Sequence, residues 1–204
     1  MTRGRLAGRL SALALLVAIL PPGLSLASPA EVSVSDNSFS PKSERVLVGE
    51  RVVWSRASGS SNAHNVREDG KLFRNGDPTT GPIDFGVVFS AGRFRYRCEV
   101  HGGGGMEGVI EVPVKLLPDP QGSAFTARWA KSRTETGQIF DAQYRIGTSG
   151  TWKSWLSNTR ELMAIFGAKD KPVGVERKTT YQIRARSGRG TTNSLWSPPV
   201  SFTP

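Results

Sequence analysis

Cys98 is the only cysteine in the 204-residue chain, and it opens a short run that offers three kinds of metal-binding side chain. His101 and Met106 follow it in a Cys-x2-His-x4-Met spacing, and His64, the only other histidine, lies upstream. One thiolate, two imidazoles and a weak axial thioether make up the donor set of blue-copper sites. The sequence therefore predicts a single copper ion bound by His64, Cys98, His101 and Met106.

The spacing explains how four side chains reach one ion. Cys98 is predicted to end a strand, His101 to return across a tight loop, and His64 to close the site from a separate strand end. A nearly trigonal site suits both Cu(I) and Cu(II), so it favours one-electron transfer over chemistry on a bound substrate. Zinc is the main competing metal, because a cysteine–histidine set also suits it. Asn65, beside His64, is predicted either to hydrogen-bond the backbone near Cys98 or to be an ordinary turn residue.

Two classes of enzyme are excluded by the residue pattern. Oxidases and reductases with several copper centres need further histidines, and both histidines of this chain are already assigned. Residues 103–108 match G-x-G-x-x-G, but the predicted strand at 109–112 follows them, whereas the dinucleotide fingerprint needs a helix there. We therefore expect a protein that is not an enzyme.

The first 27 residues are predicted to be a cleaved signal peptide. Arg3, Arg5 and Arg9 precede a ten-residue apolar stretch at 11–20, which is shorter than the about 20 residues that span a bilayer. An uncleaved membrane anchor is the alternative. A lone cysteine in an exported chain has no internal disulfide partner, so it is either a buried inert side chain or a metal ligand. We expect a mature chain with no membrane span, secreted or extracytoplasmic at the cell surface or in the periplasm.

The net charge of +10 belongs to one part of the chain. Residues 28–116 carry 11 lysines and arginines against 11 aspartates and glutamates, whereas residues 117–204 carry 13 against 6. The basic half is expected either to bind an anionic cell-surface or protein ligand or to present a solvated basic face. No nucleic-acid partner is expected.

Short alternating runs of β-branched and aromatic residues predict an all-β chain. In the first half, the predicted strands cover residues 31–34, 45–48, 51–54, 86–89, 93–98 and 108–112. This density of short strands fits an antiparallel sandwich or barrel.

The second half is predicted to be a separate β-domain. Its strands are predicted at 124–129, 142–146, 151–155 and 180–186, and residues 160–166 fit either a strand or a helical turn. Prolines at 113, 118 and 120 predict a linker, because proline interrupts strand pairing and favours extended chain. The predicted division is a domain at 28–114, a linker at 115–121 and a domain at 122–204.

Three segments of the first half carry a family resemblance: residues 63–66 around His64, the strand 94–98 that ends at Cys98, and the loop 101–106. They resemble the cupredoxins, specifically the plastocyanin, pseudoazurin and amicyanin group, and the similarity extends over residues 31–114. The resemblance implies a Greek-key β-sandwich with copper at one end, bound by His64, Cys98, His101 and Met106. It also implies one-electron transfer with a redox partner protein.

The second half resembles a fibronectin type III domain, an immunoglobulin-like β-sandwich. The similarity is carried by Trp129, by residues 144–146 and 181–186, and by the closing stretch 195–198. It implies a binding or spacer module in which Tyr181 is the corner tyrosine that hydrogen-bonds backbone upstream. Trp152 and Trp155 are expected either in the core or on an aromatic surface for glycan or protein.

The predicted function is that of an exported type 1 copper protein that transfers single electrons and carries a C-terminal binding or spacer module. The alternative is an extracytoplasmic copper-binding or copper-delivery protein without a dedicated electron-transfer role. A third reading, an adhesion module that keeps only the fold, is disfavoured by the complete ligand set.

Overall fold

A computed structural model describes residues 28–118, 124–168 and 173–204. The predicted signal peptide at 1–27 lies outside the described residues. Within the described ranges, regular structure consists of β-strands and one 3-10 turn, so the prediction of an all-β chain is confirmed. No helix in these ranges is long and apolar enough to cross a membrane.

The first half forms two four-stranded sheets. One has the order β2-β1-β4-β6 and the other the order β3-β8-β7-β5. The strands are β1 (Ala30–Ser35), β2 (Ser38–Ser40), β3 (Ser43–Arg45), β4 (Arg51–Arg56), β5 (Arg67–Glu68), β6 (Asp84–Val88), β7 (Gly92–Arg97) and β8 (Glu107–Val112).

Each of these sheets contains one parallel pair, β1 with β4 and β3 with β8. The expectation of antiparallel strands is therefore wrong for these two pairs. The chain leaves the first sheet after β2, forms β3 in the second sheet, and returns so that β4 runs beside β1 in the same direction. Alternation of apolar residues indicates which face is buried and leaves strand direction open.

The core of the first half lies between the two sheets. Trp54 of β4 is fully buried and meets Tyr96 of β7 edge-on, with ring centroids 5.2 Å apart. Phe39 meets the same tyrosine edge-on at 4.9 Å. Such pairs contribute about 0.5–1.5 kcal/mol each beyond their burial. Cys98 and Met106 belong to this buried cluster, so these two of the four predicted metal ligands form part of the core.

Two predicted strands are displaced in the structure. The strand predicted at 45–48 ends at Arg45, because Leu47 and Glu50 close a turn in which the amide of Glu50 donates to the carbonyl of Leu47 at 3.0 Å. Gly49 in this turn has φ +87°, a conformation that favours glycine. The strand predicted at 151–155 begins later and runs longer, over Lys153–Thr159.

The second half forms a three-stranded sheet of order β13-β10-β9 and a five-stranded sheet in which β12-β11-β14-β15 are neighbours and β16 also pairs with β14. Residues 163–166, within the stretch that was open between strand and helical turn, are a strand. The strands are β9 (Lys115–Pro118), β10 (Phe125–Arg128), β11 (Gln138–Ile146), β12 (Lys153–Thr159), β13 (Met163–Phe166), β14 (Tyr181–Arg189), β15 (Thr192–Asn193) and β16 (Val200–Phe202).

The segment predicted as a linker at 115–121 is partly strand. Lys115–Pro118 is β9 and pairs antiparallel with β10, while residues 119–121 lie outside the described residues. Strand β9 is an edge strand, and proline is tolerated at an edge because its missing N–H does not interrupt a central ladder. The sheet of the second half therefore already includes Lys115.

Tyr181 makes the backbone contacts predicted for it. Its hydroxyl donates to the carbonyl of Gly174 at 3.2 Å and accepts from the amide of Glu176 at 2.8 Å. The ring is buried in the second core, where it meets Phe166 edge-on at 5.5 Å. These contacts fasten the segment that leads into β14.

The two halves meet at the beginning of β7. The amide of Arg93 donates to the carbonyl of Leu195 and the amide of Leu195 donates to the carbonyl of Arg93, both at 3.0 Å. The amide of Ala91 donates to the carbonyl of Trp129 at 2.7 Å. Because Cys98 follows the other end of β7, the second half is joined to the end of the strand remote from the predicted metal ligands.

Candidate metal centre

Two separate segments carry the predicted ligands. Cys98 follows the last residue of β7, and the connection to β8 includes a 3-10 turn over Gly102–Gly104. His64 lies in a distant loop. Its amide donates to the carbonyl of Thr79 at 2.9 Å, and its carbonyl accepts from the amide of Thr79 at 3.0 Å. The backbone therefore fixes His64 before any metal binds.

The structure brings His64, Cys98 and His101 together around one point. The sulfur of Cys98 lies 3.9 Å from Nδ1 of His64 and 3.6 Å from Nδ1 of His101. The three donor atoms lie within 4.8 Å of one another. An ion with metal–sulfur bonds of about 2.3 Å and metal–nitrogen bonds of about 2.0 Å holds sulfur and nitrogen about 3.5–3.8 Å apart. The donor set thus fits one type 1 copper ion, as the sequence predicted.

The four predicted ligands differ in how far they are buried. Cys98, His64 and Met106 have no exposed surface, whereas His101 is partly exposed. Thiolate and imidazole donors in such an enclosure face little competition from water. His101 is therefore the one of these four residues that reaches the surface.

Met106 is placed at the far end of the ligand loop. Its carbonyl accepts from the amide of Cys98 at 3.2 Å, and its amide donates to the carbonyl of His101 at 3.3 Å. These bonds close the loop and keep the methionine next to two of the ligands. Its role as the fourth ligand stays a prediction.

Gly105 has a specific conformational role in the loop. Its φ of +91° lies in the left-handed region, and its amide bonds the carbonyl of Gly102. A side chain at Gly102 would also meet the Arg97 side chain at 2.8 Å, whereas Gly103 and Gly104 face open space. The turn that carries His101 therefore depends on two of the four glycines.

Asp36 supports the buried histidine, and sequence analysis missed it. One carboxylate oxygen lies 3.0 Å from Nε2 of His64, so the histidine is held through the nitrogen opposite the donor side. The same carboxylate accepts from the amides of Asn62 and Ser61 at 2.9 and 3.1 Å and from the Ser60 hydroxyl at 2.8 Å. The bonds from Asn62, His64, Ser61 and Ser60 hold the pKa of Asp36 far below its usual range.

Asn65 joins the two ligand segments as predicted. Its side-chain oxygen accepts from the amide of Glu99 at 2.9 Å, and its side-chain nitrogen donates to the carbonyl of Gly76 at 2.9 Å. Asn65 is fully buried. Because Glu99 directly follows Cys98, these bonds fix the distance between the His64 and Cys98 segments.

Glu99 adds an ionic cluster beside the site that sequence analysis also missed. It pairs with Arg67 at 2.6 Å and with Arg74 at 2.7 Å. The hydrogen bond from Arg74, followed by those from Asn65 and Arg67, lowers the pKa of Glu99 to about 2. The carboxylate therefore stays ionised over the ordinary pH range and holds the loop after Cys98 against two arginines.

No family model matches the chain, and no curated protein matches it. Among solved structures, it is similar to a purple cupredoxin from Nitrosopumilus maritimus at 24% identity, over 41% of this chain and 98% of that one, with a TM-score of 0.35. Plastocyanin from Dryopteris crassirhizoma, in its oxidised form, aligns at 22% identity over 41% and 99%, with a TM-score of 0.33. A variant of amicyanin in the Cu(I) state aligns at 19% over 41% and 81%, with a TM-score of 0.35.

Proposed function

We propose that this protein is a type 1 copper protein of the cupredoxin kind that carries single electrons. The observation that supports the proposal is the enclosed group formed by the Cys98 sulfur and the Nδ1 atoms of His64 and His101. A thiolate and two imidazoles in a nearly trigonal arrangement suit both oxidation states of copper. Copper, when bound, supplies a reversible one-electron couple.

Residues around the site hold the predicted ligands in position and exclude solvent. Asp36 and the backbone of Thr79 fix His64, and Asn65 holds the neighbouring segment to the loop after Cys98. A ligand set that is already positioned limits the rearrangement that a change of charge would otherwise require. The burial of Cys98 excludes solvent, and the partly exposed His101 offers the shortest way between the site and a redox partner.

The arrangement supports electron transfer rather than catalysis. Both histidines of the chain are in the site, so none remains for a second copper centre. Cys98 and His64 are fully buried and His101 is only partly exposed, which favours an enclosed ion over one that binds a substrate. The alternative of copper delivery would require ligands that release the ion readily.

The proposal is tested by titrating the mature protein with Cu(II) and recording its visible spectrum. We expect a strong thiolate-to-copper absorption that saturates at one ion per chain, is bleached by a mild reductant and returns on reoxidation. A folded protein that binds no copper, or that stays colourless with copper bound, would overturn the proposal. Rapid loss of the ion to a chelator in both oxidation states would instead support copper delivery.

We also propose that the chain acts outside the cytoplasm and that its second half serves as a binding or spacer module. The support is the predicted signal peptide at 1–27 and the basic charge of residues 117–204. Sequencing the N-terminus of the exported protein tests the first part, with cleavage after Ala27 or Ala30 as the expected result. A retained residue 1 would contradict it.

Replacing Met106 with leucine tests the fourth ligand. The exchange nearly conserves volume, so the buried position should tolerate it at a cost under about 1.5 kcal/mol. If the thioether donates weakly to Cu(II), its loss raises the reduction potential, and about 59 mV corresponds to each tenfold change in the preference between the two oxidation states. Voltammetry measures the shift. An unchanged potential would show that Met106 is a packing residue.

A further inference from the structure

Five side chains stack in alternation on the outer face of the five-stranded sheet. The Cζ atoms of Arg145 and Arg184 lie 4.6 and 4.1 Å from the ring centroid of Trp152. Those of Arg184 and Arg186 lie 4.9 and 4.6 Å from the ring centroid of Trp196. We call Arg145, Trp152, Arg184, Trp196 and Arg186 the arginine–tryptophan ladder. Guanidinium groups at these distances are attracted to the electron-rich ring faces, so the ladder is an ordered row of cations.

Each guanidinium of the ladder is also held by one acceptor from a neighbouring strand. Nε of Arg145 donates to Gln182 at 2.8 Å, Nε and Nη2 of Arg184 donate to Gln143 at 3.0 and 2.7 Å, and Nε of Arg186 donates to Asp141 at 2.8 Å. Fixed side chains lose little conformational entropy when they bind a ligand. The ladder is therefore pre-organised for binding.

The Nη groups of the ladder arginines that have no hydrogen-bond partner indicate an anionic ligand. In the described part of the chain, neither Nη group of Arg145 or Arg186 has a hydrogen-bond partner, and Arg184 keeps one free Nη. Among the described residues, the carboxylate of Asp141 forms an ion pair with Arg186 and accepts from the amide of Asn158 at 2.8 Å. Burial, followed by repulsion from the charges of Arg145 and Arg186, lowers the pKa of Arg184. A bound anion would relieve that repulsion.

A polar cavity of about 230 Å³ adjoins one end of the ladder. Trp196, Arg186 and the Asp141 carboxylate that pairs with Arg186 form part of its wall. The hydroxyl and amide groups of Ser154, Ser157 and Asn193 line it as well. Such groups both donate and accept hydrogen bonds, as the hydroxyl groups of a sugar do. The cavity thus complements a neutral, hydroxyl-rich part of a ligand whose charged part lies on the ladder.

We propose that this face of the second half binds an acidic polysaccharide whose sugars carry carboxylates. A planar carboxylate accepts two parallel hydrogen bonds from one guanidinium, and the ladder repeats such donors along a line. The adjoining cavity accommodates sugar hydroxyls. The excess of 13 lysines and arginines over 6 acidic residues in residues 117–204 adds long-range attraction to such a polymer.

The test uses the full mature protein and an oligogalacturonate of six sugars, with binding measured by calorimetry at physiological salt. A neutral gluco-oligosaccharide of equal length, a sulfated oligosaccharide, polyglutamate and duplex DNA serve as comparison ligands. We expect the uronate chain to bind at least about tenfold more tightly than each of these, because only it combines planar carboxylates with hydroxyls. Equal or tighter binding of polyglutamate, the sulfated chain or DNA would overturn the assignment.

Matched variants distinguish binding by the ladder from attraction by the overall positive charge. Arg145→Gln and Arg184→Gln each remove one positive charge from the ladder, and Arg177→Gln removes one from an exposed residue outside it. We expect about a tenfold loss of affinity for each ladder variant, as for the loss of a charge-assisted hydrogen bond, and little change for Arg177→Gln. Equal effects at all three positions would reduce the interaction to net charge and contradict the proposal.

A second variant keeps the proposal testable if a ladder substitution disturbs folding. Ser154 and Ser157 are exposed cavity residues whose hydroxyls share a hydrogen bond at 3.1 Å, and among the described residues neither hydroxyl bonds a ladder side chain. The double variant Ser154→Ala and Ser157→Ala should weaken binding of the uronate chain several-fold and leave the weak binding of polyglutamate unchanged. Unaltered binding of the uronate chain would contradict the role of the cavity.

Discussion

Replacing Cys98 with serine is expected to abolish the visible absorption of the copper-loaded protein. The thiolate provides both the charge transfer that gives the colour and the strongest bond to copper, and a serine hydroxyl stays protonated and binds copper weakly. We expect copper affinity to fall by more than the about 100-fold that the loss of a supporting residue costs. Absorption spectra and copper titration of the two proteins measure the effect.

The same variant separates the metal site from the fold. Cys98 is fully buried in the core of the first half, and serine is close to it in size, so circular dichroism of the metal-free variant should match that of the metal-free wild type. Persistence of the colour in the variant would place the chromophore elsewhere. Loss of the folded spectrum would be separated from ligand loss by Cys98→Ala, which leaves no buried hydroxyl without a partner.

Replacing Asp36 with alanine is expected to weaken copper binding about 10–100-fold and to raise the reduction potential. The carboxylate holds Nε2 of His64 at 3.0 Å, which fixes the ring and increases the electron donation of the imidazole to the ion. Greater donation stabilises Cu(II) over Cu(I), so its removal favours the reduced state. A tenfold change in that preference corresponds to about 59 mV.

Two companion variants identify the cause of the Asp36 effect. Asp36→Asn keeps an oxygen that can accept from Nε2 of His64 and removes the charge. Asp77→Asn removes a charge from an exposed carboxylate that pairs with Arg74 and touches none of the ligands. We expect a potential shift for Asp36→Asn that is smaller than for alanine and clearly larger than for Asp77→Asn. Equal shifts in the two asparagine variants would show that only long-range charge matters.

The grouping of His64, Cys98 and His101 was predictable because cysteine and histidine are scarce in the chain. One cysteine and two histidines leave almost no choice of donors, and the interval between Cys98 and His101 suits one tight loop. The contact of Asn65 with the backbone of Glu99 was predictable for a related reason, because Asn65 is the immediate neighbour of a ligand.

Asp36 was not predictable in the same way. It lies 28 positions before His64, and the two meet because β1 ends beside the loop at 60–62. Aspartate is common at strand ends, so its type carries no signal, and its role follows from sheet pairing. Glu99 illustrates a further difficulty, since its partners Arg67 and Arg74 come from segments whose position depends on the whole fold.

Strand existence was predicted better than strand pairing. The alternating runs at 51–54 and 108–112 form strands, but the parallel pairing of β1 with β4 depends on which sheet β3 joins. The proline-rich stretch at 113–120 was expected to interrupt pairing. Its first part instead forms the edge strand β9, because an edge position tolerates proline.

The paired backbone bonds between Arg93 and Leu195 connect the proposed binding face of the second half to the first half. Leu195 is next to Trp196 of the ladder, and Arg93 lies five residues before Cys98, about 17 Å along an extended strand. A chain attached through the ladder would therefore not swing on a flexible tether. Attachment would set the orientation of the molecule, and His101 would then face one direction relative to the surface. A redox partner on the same surface would therefore meet His101 at a high effective concentration only if it lay on the side that His101 faces.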